Sequence, residues 1–274
     1  VPELPEVETV RRTLAPIVGA RLASVWTSGK GLHMARRPPR AALQRLVGAR
    51  ITALRRHGKY LLVDTSMSSS ILFHLGMSGR LRVQRADAPR ARHTHVVLGL
   101  GARELHYVDP RRFGQCDVFE RASPRDHDGL ALLGPDPLVD GVDAAELHDA
   151  ARNRKVTLKA FVLDQGVLAG MGNIYASEAL WRAKLRPSRR SNRLSAAAAG
   201  KLAEAIREVL DRALVNNGTS LRDFVDADGA EGSNADYLWV YGREGEPCPR
   251  CNRAIRRTVH QGRATFYCPT CQPP

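Results

Sequence analysis

Residues 247–272 read PCPRCNRAIRRTVHQGRATFYCPTCQ, and four of the five cysteines in the chain fall here as two pairs, Cys248/Cys251 and Cys268/Cys271. Secreted disulfide frameworks scatter their cysteines. Two C-x2-C pairs separated by 16 residues are instead spaced to close one tetrahedral thiolate site on a β hairpin. With all four coordination positions filled by Cys248, Cys251, Cys268 and Cys271, no vacancy remains for water, so the spacing predicts one structural zinc ion and no metal chemistry. The ion's work is to fold a tail too short to build a core of its own. Between the pairs the hairpin carries Arg253, Arg256, Arg257, His260 and Arg263, a basic finger suited to phosphate. The odd cysteine, Cys116, lies in the apolar alternation Gln115–Phe119 and reads as a small core residue.

Upstream of the tail the periodicity is helical over 143–152, 156–164, 172–183 and 195–216, the last opening at Ser195 as N-cap and stopping at Asn217-Gly218. Gly170-Met171-Gly172 places a glycine-rich turn at a helix start, where free N–H groups can hold a phosphate, though ordinary close helix packing explains it equally well. Arg152, Arg154, Lys155 and Lys159 precede it, as either a solvated face or an anion-binding one. Residues 226–236 lack an apolar face and read as a mobile loop.

Before the proline-rich stretch 135–143 the pattern is mostly short strands: 50–63, 70–75, 94–100, 105–108 and 115–119, with a helix near 40–47. A first helix over 5–15 opens with Pro5, shows Val7, Val10 and Leu14 on one face, and ends at Pro16 and Gly19. The fold class is therefore α+β: an N-terminal two-sheet sandwich with the first helix packed on it, then helices, then the metal hairpin. Domain limits follow at 1–136, 137–238 and 239–274.

The charge balance narrows the function. Lys and Arg number 42 against 28 Asp and Glu, a net charge of +14, which favours a polyanionic partner, nucleic acid before anionic membrane. No apolar run approaches the roughly 18 residues of a membrane span, and the amino terminus lacks a basic and apolar leader, so the expected location is the cytoplasm. At the other end of the chain, Pro2 ordinarily would do no more than stiffen a terminus. If residue 1 is removed, however, Pro2 presents a secondary amine, and α-amino groups have pKa values of roughly 7.7–8.0. Such an amine attacks an aldehyde-like carbon to give an iminium, an electron sink at any pH. Glu3 supplies a carboxyl group to move a proton beside it. Val1 reads as a non-ATG start codon rendered literally, so its loss belongs to this expectation.

PELPEVETVRR (2–12) resembles the amino terminus of the formamidopyrimidine-DNA glycosylase family, bacterial enzymes that excise oxidised purines. The resemblance continues in order through HGKYLL (57–62), HLGMSGRL (74–81), DPRRFG (109–114), GMGNIYASE (170–178), VYGREGEPC (240–248) and RATFYC (263–268). It implies a helix–two-turn–helix element in the helical domain and a monomer acting on duplex DNA with oxidised bases or abasic sites, nucleoid-associated in the cell. It implies a bifunctional glycosylase and AP lyase: Pro2 forms a Schiff base at C1′, Glu3 moves a proton, and Lys59 and Arg263 assist β,δ-elimination. His74, His93, Arg111, Lys155 and Asn173 become contacts to DNA. Met77, Arg112 and Phe113 become the wedge that fills the gap left by an extruded base, as an enzyme acting on a base must take it out of the stack. On the residues alone, Met77 reads as core packing, His74 and His93 as ordinary histidines, and Lys59 as an exposed lysine within a strand. Three other readings stand beside this one. They are a sister subfamily taking oxidised pyrimidines, a non-catalytic zinc-hairpin protein that holds damaged DNA, and a zinc hydrolase, which the filled coordination sphere disfavours.

Overall fold

The computed structural model describes residues 2–33, 36–120, 127–221 and 224–274; Val1, on which the maturation expectation falls, lies outside them. The chain forms two compact units, Val1–Ala131 with Asn216–Ser233, and Leu132–Val215 with Asn234–Pro274.

The first unit opens with α1 (Leu4–Thr13) and continues through β1 (Ser24–Thr27), α2 (Arg40–Arg45), β2 (Ile51–His57), β3 (Tyr60–Thr65), β4 (Ser69–His74), β5 (Arg80–Arg85), β6 (Thr94–Gly99), β7 (Arg103–Val108), β8 (Gln115–Glu120) and the short α3 (Asp128–Ala131). Two antiparallel sheets result, in the orders β1-β6-β7-β5 and β2-β3-β4-β8. Leu61, Val63, Ile71 and Phe73 of one sheet share a single apolar cluster with Leu81, Val96, Leu98, Leu105 and Tyr107 of the other. Val7, Val10 and Leu14, at helical spacing on α1, pack into the same cluster. Each of those three buried side chains contributes about 1.5–3 kcal/mol, which fixes the helix on the sandwich. Cys116 belongs to this core, and burial raises its thiol pKa well above the usual value.

Polar contacts then set the position of α1 more finely. Glu8 accepts hydrogen bonds from Arg11, Arg12 and Arg56, the last a buried guanidinium on β2. Burial alone would raise the Glu8 pKa; the arginine hydrogen bonds and charges outweigh it and hold the carboxyl at about 2. Glu6 is buried too, and its two oxygens accept from the backbone N–H of Glu3 at 2.7 Å and of Thr219 at 2.7 Å. That second bond carries residues 216–233 into this unit. Here the structure corrects the reading of 226–236 as a loop with no apolar face. Ala227 is buried in the sandwich core, its N–H donates to Thr13 and its carbonyl accepts from Val83.

The second unit contains α4 (Ala144–Arg152), α5 (Leu158–Leu163), α6 (Asn173–Arg182), α7 (Ala196–Val215) and the hairpin β9 (Arg256–His260) and β10 (Arg263–Tyr267). Asp143 caps α4 by accepting from the N–H groups of Ala145 and Glu146, and Thr157 caps α5 through Ala160. The tail lacks bulk of its own: Val240, Cys248, Ile255, Phe266 and Cys268 bury themselves against Trp181 of α6. Glu178, also on α6, accepts from the N–H groups of Trp239, Val240 and Tyr241 at 2.7, 2.9 and 2.8 Å. Among the described residues no helix is long and apolar enough to cross a membrane.

Removing the Glu6 carboxylate strands two backbone donors. Hydrogen bonds to charged groups are worth about 1.5–3 kcal/mol each, so Glu6→Ala, which removes two, is expected to lower unfolding free energy by about 3–6 kcal/mol in urea titration. A midpoint unchanged from the parent would show that the carboxylate does not join these segments.

Candidate active site and metal centre

Strand register decides which candidate residues meet. His57 pairs with Tyr60, Tyr60 with His74, and His74 with Gln115, so the β2–β3 turn, the end of β4 and the start of β8 share one end of their sheet. In the other sheet Val108 pairs with both Arg80 and Thr94, bringing the starts of β5 and β6 beside the end of β7. The loops 75–79 and 109–114 run from one sheet to the other at this same end. Lys59, His74, Met77, His93, Arg111, Arg112 and Phe113 therefore collect at one rim of the sandwich.

Lys59 is not within a strand, contrary to the sequence reading. Gly58 and Lys59 form a two-residue hairpin, and Gly58 at φ +55° supplies the left-handed conformation that such a turn asks of its first position. Arg56 holds this turn to α1, donating from Nε to Glu8 and from Nη1 to the Gly58 carbonyl at 3.1 Å. The lysine is thus presented on a rigid corner. Pro2 is buried directly before α1, and Glu3, 3% exposed, is the N-cap of that helix, so the Pro2 ring and a carboxyl group occupy adjacent positions.

His74 packs its ring on Tyr60, centroids 4.8 Å apart, and its Nδ1 accepts from the Gly76 N–H at 3.1 Å. Burial, with the positive charges of Lys59 and His33 nearby, lowers its pKa to about 4. The ring is then neutral at pH 7, with Nδ1 occupied as acceptor and Nε2 left as the donor. His93, exposed at φ +68°, accepts from the Asp109 N–H through its carbonyl. Met77 is 36% and Phe113 47% exposed, uncommon for such side chains, and the Arg111 guanidinium lies 4.8 Å from the Phe113 ring centroid.

The second unit gathers a separate set. Asn173 is the first residue of α6 and donates from Nδ2 to the Ala264 carbonyl at 2.8 Å, which fixes the helix start against the hairpin strand that begins at Arg263. Gln261 and Gly262, both at positive φ, make the tight turn before Arg263, itself exposed. Lys155 is exposed on the loop before α5. Lys159, grouped by sequence with Arg152, Arg154 and Lys155 as a solvated or anion-binding face, is instead 1% exposed and donates from Nζ to the Asn173 carbonyl at 2.9 Å and to Ser177 Oγ at 2.5 Å. An ammonium buried at the positive end of a helix makes a strongly anion-attracting spot. Its charge, after burial, also lowers the pKa of His260. A lysine in a basic run gives no sign of such burial in sequence; the one available hint is its place within the apolar spacing of Leu158, Phe161 and Val162.

The four cysteine sulfurs lie within 4.8 Å of one another, with Cys248–Cys271 at 3.9 Å and Cys251–Cys268 at 3.4 Å. Zinc–sulfur bonds of about 2.3 Å in a tetrahedron require sulfurs about 3.8 Å apart, so this cage fits one zinc ion and offers it no open position. Trp181 Nε1 donates to Cys248 Sγ at 3.4 Å, orienting that thiolate.

Three family models match in chain order: the formamidopyrimidine-DNA glycosylase N-terminal domain over residues 1–116, the H2TH domain of the same glycosylase over 133–225, and a zinc finger found in FPG and IleRS over 245–274. A formamidopyrimidine-DNA glycosylase of Xanthomonas axonopodis pv. citri is 45% identical over 99% of this chain and 100% of its own length. One from Alkalilimnicola ehrlichii is 46% identical at the same coverage. Among solved structures, Lactococcus lactis Fpg in complex with abasic-site DNA aligns with a TM-score of 0.90 at 33% identity, covering 99% of this chain and 100% of that one. The MutM (Fpg) protein from Thermus thermophilus aligns at 0.88 with 40% identity, covering 99% and 98%.

Two outcomes follow from this geometry. Chelation of zinc, or Cys248→Ser, should release the tail from α6 and change the emission of Trp181 and Trp239, two of the three tryptophans in the chain; metal content and fluorescence measured together check it. The His74 imidazole should keep its neutral chemical shifts in NMR from pH 7 down to near its depressed pKa of about 4. By linkage, the stability this neutral ring contributes is complete above the free-histidine value near 6.5 and declines as pH falls from there towards 4.

Proposed function

The chain belongs to the formamidopyrimidine-DNA glycosylase family, and from that premise we propose how its residues divide the chemistry. The enzyme is a base-excision-repair DNA glycosylase with AP lyase activity that removes oxidised purines from duplex DNA, and its four-cysteine cage holds one structural zinc ion. Pro2, with residue 1 removed, attacks C1′ of the damaged nucleotide. The C1′–N9 bond breaks and the base departs with a proton, and the C1′–O4′ bond then opens, its oxygen taking up a proton, to leave the Pro2–C1′ iminium; Glu3 serves the proton transfer at the ring oxygen or the base. The iminium that remains acidifies C2′; loss of that proton expels the 3′ phosphate, and a second elimination expels the 5′ phosphate. Lys59 and Arg263 assist these proton movements, and a one-nucleotide gap with phosphate ends is left.

The observation that carries this reading is the pairing of a buried Pro2 with Glu3 at the N-cap of a helix bolted to the sandwich by Glu6, Glu8 and Arg56. Nucleophile and proton carrier have no freedom to drift apart, which is how orientation lowers a barrier. Met77, Arg112 and Phe113 are exposed and fill the space of the extruded base. His74 donates to the phosphate backbone as a neutral ring, while His93, Arg111, Lys155 and Asn173 add the remaining backbone contacts. In this division residues 1–136 carry Pro2, Glu3 and Lys59, 137–238 hold the duplex, and 239–274 hold it as well and supply Arg263. The segment 216–233, packed with the sandwich, serves the catalytic part. The enzyme acts in the bacterial cytoplasm on nucleoid DNA.

Borohydride trapping on a duplex with one 8-oxoguanine opposite cytosine tests the nucleophile. The parent should form a covalent adduct, and intact mass should show a chain beginning at Pro2. A variant with a blocked terminus should form none. Glu3→Gln should slow base release by about 10²- to 10⁴-fold, the range for removing a positioned proton carrier. Trapping that survives the blocked terminus would overturn the scheme.

A further inference from the structure

Met77 sits on the loop 75–79, Arg112 and Phe113 on the loop 109–114, and nothing in the wedge residues themselves keeps the two loops in step. A single side chain does. Asp109 is fully buried, and its Oδ1 accepts from the Ser78 hydroxyl at 2.6 Å while its Oδ2 accepts from the Gly114 N–H at 2.8 Å and more weakly from Tyr107 Oη at 3.4 Å. Ser78 Oγ in turn accepts from the Arg111 N–H at 3.1 Å. One carboxylate and one hydroxyl therefore tie the residue after Met77 to both ends of the Arg111–Gly114 segment. The backbone of Asp109 is held as well: its N–H donates to the His93 carbonyl, and its carbonyl accepts from His95 Nε2 at 3.0 Å.

The loops also touch directly. A Cβ on Gly76 would lie 2.5 Å from the Gly114 nitrogen and the Phe113 carbonyl carbon, and a Cβ on Gly114 would lie 1.8 Å from Tyr107 Oη. Two glycines thus let the loops approach until their backbones meet. Arg112, at φ +57°, adopts a conformation a non-glycine residue takes only when its surroundings impose it. The constraint around it is the Asp109 network.

We infer that Asp109, with Ser78, is a positioning residue for base extrusion: it locks the loops of Met77 and of Arg112–Phe113 into one rigid body, so that the three side chains enter the stack together. This rests on the wedge role given to those residues above. A carboxylate only accepts, so it can serve Ser78, Gly114 and Tyr107 at once, whereas an amide in its place turns one oxygen into a donor, which either opposes the Gly114 N–H or reverses the Ser78 bond and leaves it a weaker, uncharged one. A misplacement of about 1 Å can cost on the order of 100-fold in rate.

The test compares two substrates. Single-turnover excision of 8-oxoguanine from a duplex requires the wedge; cleavage at an abasic site in a single strand requires no base to be turned out. Asp109→Asn should slow the duplex reaction by on the order of 100-fold and Ser78→Ala by about 10-fold, both leaving single-strand cleavage within about 2-fold of the parent. Fluorescence of a 2-aminopurine next to the lesion should rise later in both variants, reporting delayed unstacking. If Asp109→Asn does not fold, Ser78→Ala carries the same comparison, since it removes the link to Arg111 and leaves the carboxylate in place. Equal slowing on both substrates, or none on the duplex, overturns the positioning role. Met77→Ala separates the two claims. Duplex excision at the parental rate in that variant defeats the wedge reading itself, whereas a slow Met77→Ala beside a fast Ser78→Ala and Asp109→Asn defeats this inference alone.

Discussion

The carboxylate of Glu6 joins the first turn of α1 to Thr219, 213 positions further along the chain. Everything proposed for the amino terminus depends on it, because a terminus is where a chain ordinarily frays. A nucleophile on the second residue has value only if its position is as well determined as that of a core side chain. Glu6 provides this by accepting the Glu3 N–H with one oxygen and the Thr219 N–H with the other. Gly218 cannot be larger without moving it, since a Cβ there would lie 2.9 Å from Glu6 Oε1. The apolar face of α1 supplies most of the free energy that docks the helix; the carboxylate supplies the register.

Two further buried acids do the same kind of work. Asp109 collects donors from two loops, and Glu178 collects three consecutive N–H groups at the start of the tail. Burial raises the Glu178 pKa, and its three backbone donors pull the other way. In each case the acid serves as an acceptor for backbone that belongs to no helix or strand at that point, and so satisfies groups that would be costly to bury unpaired. This explains how a chain of net charge +14 uses its acids. Several of them lie inside, organising loops, and many of the arginines are left at the surface for a polyanion.

What the sequence disclosed, and what it hid, follows from the range of each interaction. The cysteine spacing is a local covalent pattern, and it led directly to the cage. Asp143, Thr157 and Ser195 cap helices through bonds to residues two or three positions away, and most of those helix limits were legible. β5 was not, although Arg80-Leu81-Arg82-Val83 alternates as a strand should, because its outward positions are charged and its pairing partner lies in β7. The Gly58-Lys59 turn was missed because the residues on either side are strand-like and only the positive φ of Gly58 breaks the run. Glu6–Thr219 and Asp109–Ser78 were invisible for a plainer reason. A polar pair far apart in sequence leaves no periodic trace, and each partner alone looks like a surface residue.

The residues proposed to fill the void of an extruded base show why such long-range polar links matter more to function than to fold. Exposed side chains such as Met77 and Phe113 gain nothing from the core, so packing cannot hold them in a productive arrangement. Rigid neighbours must do so, and loops are poor neighbours unless their backbone donors are tied down. A second apolar cluster beneath the two loops would have fixed them only loosely, since dispersion contacts have little directional preference. A carboxylate that accepts from Ser78, Gly114 and Tyr107 fixes distance and angle together. The same requirement accounts for the glycines at 76 and 114, where any side chain would push apart the two backbones that the carboxylate draws together.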